Sequence, residues 1–82
     1  MALYFINYDL RNQRNYDLLY SELKKFNAVR VLESQWCFKR YNTNCEGLRN
    51  HFVQFIDSDD GLILSEVTDW ASRNILGTPN DL

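Results

Sequence analysis

Apolar and polar residues change their spacing several times along the chain, and each change marks an element. The stretch Leu3-Tyr4-Phe5-Ile6-Asn7-Tyr8-Asp9 is apolar at almost every position, rich in aromatic and β-branched side chains, and ends in a carboxylate. A run of this length and composition predicts a strand buried on both faces. A carboxylate at the end of such a strand is held by rigid backbone, which makes Asp9 the first candidate for chemistry. Leu10-Arg11-Asn12-Gln13-Arg14 then reads as a polar connection, with Asn15 as the N-cap of a helix. Within that helix Tyr16, Leu19, Tyr20, Leu23 and Phe26 recur at i, i+3, i+4, i+7 and i+10, forming one apolar stripe. Asp17 near its start and Lys24 and Lys25 near its end suit the helix dipole, and Asn27 can stop it in the left-handed conformation.

From Ala28 to Tyr41 the period shortens. Val29, Val31 and Leu32 predict one strand, and Trp36 and Phe38 alternate with Cys37 and Lys39 in another. Glu33-Ser34-Gln35 interrupts them without Gly or Pro, which fits either a tight hairpin or a bulge in one bent ribbon. Thr43-Asn44-Cys45-Glu46 matches a capping box with Thr43 as the cap. Leu48, Phe52, Phe55 and Ile56 form a second helical stripe, and the turn Asp57-Ser58-Asp59-Asp60-Gly61 ends it. Leu62-Ile63-Leu64-Ser65-Glu66-Val67 predicts the last strand. In the tail, Thr68 is expected to cap a short helix from Asp69 to Leu76, stopped by Gly77 and Pro79, with a frayed end at Asn80-Asp81-Leu82.

Strand, helix, strand, strand, helix, strand is the split β-α-β order, so the expected fold is α+β: a ferredoxin-like βαββαβ sandwich. It has a four-stranded antiparallel sheet, two helices on one face and the short C-terminal helix; the first strand and the strand after the first helix are expected as the two central strands or their neighbours. The expected organisation is a single domain over residues 1–82, with a core at 2–67 and a tail at 68–82. Nothing in this order covers the sheet's second face, and a second subunit is the economical cover.

Composition adjusts this picture modestly. A core of this size rarely supplies more than about 3–5 kcal/mol by itself, and hydrophobic and aromatic contents of 45% and 15% leave surface for a homodimer. A net charge of −2 argues against a general nucleic-acid coat, though not against a local basic groove. Cys37 and Cys45 have no metal-ligand spacing and read as reduced thiols. Met1 leads straight into the first strand without a basic leader, and no apolar run approaches the ~20 residues that span a bilayer. A soluble, cytoplasmic protein with no membrane partner is expected.

Tyr8-Asp9 closing the first strand, followed by an Arg-containing loop and an amphipathic helix, resembles the small CRISPR-associated adaptation proteins. Leu32-Glu33-Ser34-Gln35-Trp36 resembles that family's Ser-apolar-aromatic stretch, and Leu62-Ile63-Leu64 its later strand. Residues 2–76 as a whole are most similar to the stand-alone SinR-like branch. The resemblance implies a symmetric homodimer with Asp9 near the two-fold axis, opposite its copy. It also implies antiviral defence as the setting, with some relatives metal-dependent nucleases and others non-catalytic bridges. The chain departs from that pattern in lacking a second acidic residue and a basic run after Asp9.

Two functions follow as expectations. In the first, the protein is a dimeric nucleic-acid- or nucleotide-binding protein like the metal-dependent endonucleases. Paired Asp9 carboxylates would hold Mg²⁺, Asn7 would assist, Ser34 would orient a phosphate or water, and Arg11 and Arg14 would contact phosphates. In the second, it is a non-catalytic dimeric module of defence or phage-encoded counter-defence. It would hold a small nucleotide or protein partner in an inter-subunit groove, with Asp9 paired to Arg11 or Arg14. Tyr4, Tyr8, Trp36 and Phe38 are expected at the dimer interface. The lone His51 reads as a packed helix-edge residue, and the 57–61 turn fails the EF-hand pattern because Gly61 occupies the fifth position.

Overall fold

The chain folds as β1 (Ala2–Asp9), α1 (Asp17–Lys25), β2 (Val29–Leu32), β3 (Gln35–Arg40), α2 (Cys45–Phe52) and β4 (Gly61–Val67), in a computed structural model that describes residues 1–11 and 16–82. The strands form one sheet in the order β2-β3-β1-β4, with every neighbouring pair antiparallel. This is a small α+β arrangement compatible with a ferredoxin-like sandwich. β1 is central, as its apolarity predicts. Its neighbours are β3 and β4, and β2 lies at the edge although it directly follows α1.

Strand periodicity sorts β1 into two faces. Tyr4, Ile6 and Tyr8 point to one side and join Leu19 and Leu23 of α1, Leu48 and Phe52 of α2, and Trp36, Phe38 and Leu64 in a single core. Phe38 is its hub, with ring centroids 5.1 Å from Phe26, 5.8 Å from Phe52 and 5.9 Å from Tyr4. The apolar stripe of α1 behaves as its spacing predicts, and Asn27 adopts φ 54 to end the helix. The expected cap Asn15 lies outside the described residues. Leu10, part of the expected polar connection, is instead buried in the core.

Tyr4, Tyr8, Trp36 and Phe38 do not lie on a free surface. Tyr4 pairs with Phe38 and Ile6 with Trp36, so all four residues have the parity of the helix-covered face. They are buried within one protomer, at 1, 5, 6 and 0% exposure. The expectation that they form a dimer interface is corrected by this register.

The β2–β3 connection combines both geometries that Glu33-Ser34-Gln35 allows. Glu33 and Ser34 make a tight turn, and the register slips between Arg30 and Leu32, which gives a bulge as well. At α2 the cap sits one residue later than expected: Asn44 Oδ1 accepts from Gly47 N at 2.8 Å. Beginning the helix at Cys45 carries Leu48 and Phe52 onto the sheet. The last apolar turn, Val53–Phe55, tightens to a 3-10 helix.

The tail is the largest departure from expectation. Residues 68–76 form no helix, since Trp70 and Ile75 are too far apart for an apolar stripe and Ser72 and Asn74 favour turns. Asn74 turns the chain at φ 57, and Leu76 N–H donates to Val31 O at 2.8 Å, attaching the tail to β2. Pro79–Asp81 ends the chain as a 3-10 turn capped by Thr78 and Asp81, rather than fraying. Trp70, Ile75 and Pro79 line a space of about 150 Å³ with Phe5, Val31, Leu32 and Gln35. The tail therefore covers the β2–β3 half of the second face. The strand buried on both faces becomes a strand fully buried on one face and half-buried on the other.

Candidate functional site

Parity places Leu3, Phe5, Asn7 and Asp9 of β1 on the second face, with Ile63 and Val67 of β4 beside them. At the Asp9 end, beyond the tail, lies an open groove of about 320 Å³ lined by Asn7, Tyr8, Asp9, Arg11, Gly61, Leu62 and Ile63. It brings together Asn7, Asp9 and Arg11 from among the candidates read in the sequence. Arg14 lies outside the described residues.

Asp9 is held by an arginine. Arg11 Nε donates to Asp9 Oδ2 at 3.1 Å, and both side chains are exposed. Arg11 is anchored further by the turn before β4: its backbone N–H donates to Asp60 Oδ1 at 2.7 Å, and its Nη1 to Asp59 O at 3.2 Å. Asp60 also closes the turn, its Oδ2 accepting from Asp57 N at 2.8 Å. The acidic turn that fails as a calcium loop thus clamps the exit of β1 to the entry of β4. Gly61 leaves room for this, because a Cβ there would stand 2.8 Å from Arg11 Nη2.

Ser34 is beside the site through its backbone rather than its hydroxyl, with Ser34 O accepting from Tyr8 N at 3.2 Å. Gln35 reaches Asn7, Nε2 donating to Oδ1 at 3.3 Å. Behind β1, on the core side, Trp36 Nε1 donates to Tyr8 Oη at 3.2 Å, and Tyr8 Oη donates to Glu33 O at 3.0 Å. Arg30 closes this cluster, donating from Nη2 to Tyr20 Oη at 3.0 Å and to Glu33 O at 2.7 Å. Burial, and then the Tyr20 hydroxyl, push the Tyr8 phenol well above its ordinary range, so it serves as a neutral hydrogen-bonding post.

One polar pair in the helix layer escaped the sequence reading. Glu22 of α1 is buried, and its Oε2 lies 2.6 Å from His51 Nε2 of α2. The His51 ring packs among Phe26, Phe52 and Phe55 at 5.2–5.4 Å. The signal was available: Glu22 follows Leu19 by three, within the arc of the apolar stripe. His51 is the packed helix-edge residue its position suggests, now with a carboxylate partner. Cys37 and Cys45 are free thiols, and burial under the tail raises the Cys37 thiol to about 11.

The electrostatics of the groove follow from these placements. The carboxylates of Asp9 and Asp60 both accept from Arg11, so the corner is acidic with its described cation already engaged. Such a corner repels a phosphate and suits a basic or neutral polar group. The donor set also fits Mg²⁺ poorly within one protomer. The strand-end carboxylate is bonded to a guanidinium, and the neighbouring Asn7 Oδ1 accepts from Gln35.

Fold and site together define a small sheet-and-helix domain with a polar corner on its half-covered face. No protein-family model matches the chain, and no solved structure gives a significant match. Among the described residues no helix is long and apolar enough to cross a membrane.

Proposed function

We propose that the protein is a homodimeric, non-catalytic binding module whose polar corner and half-covered sheet face meet a protein partner. The observation that carries this reading is the Asp9–Arg11 pair, tied by Arg11 to the 57–61 turn. A carboxylate engaged in this way organises a surface and is not poised to take up a metal. The acidic surroundings favour a protein over a nucleotide or nucleic acid. The small core supports the homodimer, and uncovered apolar side chains at the β1–β4 half of the face support the protein partner. Ile63 there is 61% exposed and Leu3, Phe5 and Val67 are half-buried.

Two measurements test the reading. Sedimentation at micromolar concentration is expected to give twice the 9.8 kDa chain mass; a species of single-chain mass sinks the homodimer. Incubation with single- and double-stranded RNA and DNA is expected to show neither cleavage nor salt-dependent binding, with or without Mg²⁺.

A second reading, a metal-dependent nuclease of the CRISPR-associated type, is favoured by one observation. Asp9 ends a central strand on the half-covered face with its side chain 71% exposed. It requires Asp9 to exchange Arg11 for Mg²⁺. Cleavage that depends on Mg²⁺ and disappears in Asp9→Asn establishes this reading and overturns the first.

A further inference from the structure

Among the described residues, no strand pairs with the outer edge of β4. In the order β2-β3-β1-β4 it is a terminal strand, and the opposite terminal strand, β2, already receives the tail through Leu76 N–H and Val31 O. Of the usual devices that blunt an edge, β4 carries one, the charge of Glu66. Its seven residues, GLILSEV, include neither Pro nor Lys, and its register on β1 runs unbroken from Asp9↔Gly61 to Leu3↔Val67, so it has no bulge.

Alternation determines which groups face outward. Tyr8 N–H donates to Ser34 O, so the backbone polar groups of Tyr8 face β3 and those of Asn7 and Asp9 face β4. Asn7 pairs with Ile63 and Asp9 with Gly61, so Gly61, Ile63, Ser65 and Val67 turn inward to β1. Leu62, Leu64 and Glu66 therefore present their N–H and C=O groups to the open edge.

We propose that this edge joins two copies of the chain, β4 pairing antiparallel with β4 of a second copy about a two-fold axis through Leu64. The proposal rests on the homodimer of the preceding section and names its interface. Leu64 meets its own copy and Leu62 meets Glu66, so every outward-facing residue exchanges both of its backbone bonds. The sheets of the two copies become one.

Charges favour this register over the one centred on Ile63. Leu62, Leu64 and Glu66 share the helix side of the strand, where Leu62 and Leu64 line a groove of about 280 Å³ with Cys45, Glu46 and Arg49 of α2. With the axis at Leu64, Glu66 of one copy arrives opposite Leu62 of the other, beside Arg49. Arg49 then lies between its own Glu46, 4.0 Å away, and the incoming carboxylate. Moving the axis to Ile63 sets Glu66 opposite Asp60 of the other copy, like charge against like charge. On the second face, the exposed Ile63 gains a cross-strand neighbour in Ser65. This dimer leaves the two Asp9 residues on opposite sides of the axis, roughly 20 Å apart by strand rise alone. That separates it from a dimer built around paired aspartates.

The test is sedimentation velocity across a concentration series on the wild-type chain and on Glu66→Pro. This substitution removes an outward N–H and leaves the β1–β4 ladder intact, since Pro is tolerated on a free edge. A dimeric wild type with a folded, monomeric Glu66→Pro is the expected result. A monomeric wild type overturns the homodimer and the edge pairing together. A dimeric Glu66→Pro overturns the edge pairing alone. Charge exchange supplies a second test that does not depend on proline: Arg49→Glu and Glu66→Arg are each expected to weaken dimerisation about tenfold, and the double exchange to restore it. Unchanged dimerisation in both single variants overturns the register.

Discussion

Replacing Gly77 with alanine tests the tail, the segment whose path departs most from what its sequence suggests. A Cβ at Gly77 would stand 2.7 Å from the backbone oxygen of Arg30 and 2.7 Å from Val29 Cγ1. The valine methyl can rotate away; the carbonyl belongs to β2 and cannot. Gly77 has no positive φ, so alanine fits its backbone conformation. Two effects then oppose one another. Reduced freedom of the unfolded chain favours alanine by about 0.4–1 kcal/mol. Overpacking against a fixed carbonyl costs about 1–3 kcal/mol. If the tail lifts instead, the Leu76–Val31 bond is lost, worth about 1 kcal/mol net, together with the cover over Cys37. The clash wins by either route, and a net loss of about 1–2 kcal/mol is expected. With an m-value of about 1 kcal/mol/M for so small a chain, the urea midpoint falls by about 1–2 M. Cys37 should also react faster with a thiol reagent at neutral pH as its cover loosens. An unchanged or higher midpoint, with Cys37 still protected, refutes the packing of the tail on β2.

Three further perturbations probe the interior. The raised Cys37 thiol stays protonated in the fold after it would ionise in the unfolded chain, so stability is full below about pH 9 and falls as pH rises towards 11. Denaturation midpoints against pH should show this loss, and Cys37→Ala should remove the part of the slope that begins before the tyrosines titrate. Tyr8→Phe leaves the buried Trp36 Nε1–H without its acceptor and should cost about 1–3 kcal/mol in urea denaturation; a neutral result means the indole finds another partner. Glu22→Gln keeps the shape of the α1–α2 contact while weakening its bond to His51, with an expected loss of about 1 kcal/mol in thermal unfolding. An unchanged midpoint shows that this pair holds no stability.

Sequence alone determined the elements whose signals repeat. The apolar run of β1, the stripe Tyr16-Leu19-Tyr20-Leu23-Phe26 and the alternation around Trp36 and Phe38 each state a period, and a period defines an element and its buried face. The βαββαβ order followed from them, whereas β3, and not the strand after α1, took the second central place beside β1. Asp9 was legible as a strand-end carboxylate for the same reason. Tertiary structure alone decided which sheet face each strand turned to the helices. A period of two specifies two faces without naming the covered one, and this is why four core aromatics could be mistaken for an interface. It also decided the partners of isolated charges. The Asp9–Arg11 pair adjoins a turn some fifty residues away, and Glu22 meets His51 across two helices. The tail, lacking any period, could be placed only by β2, whose Val31 carbonyl accepts from Leu76 and whose bulged backbone gives Gly77 somewhere to pack.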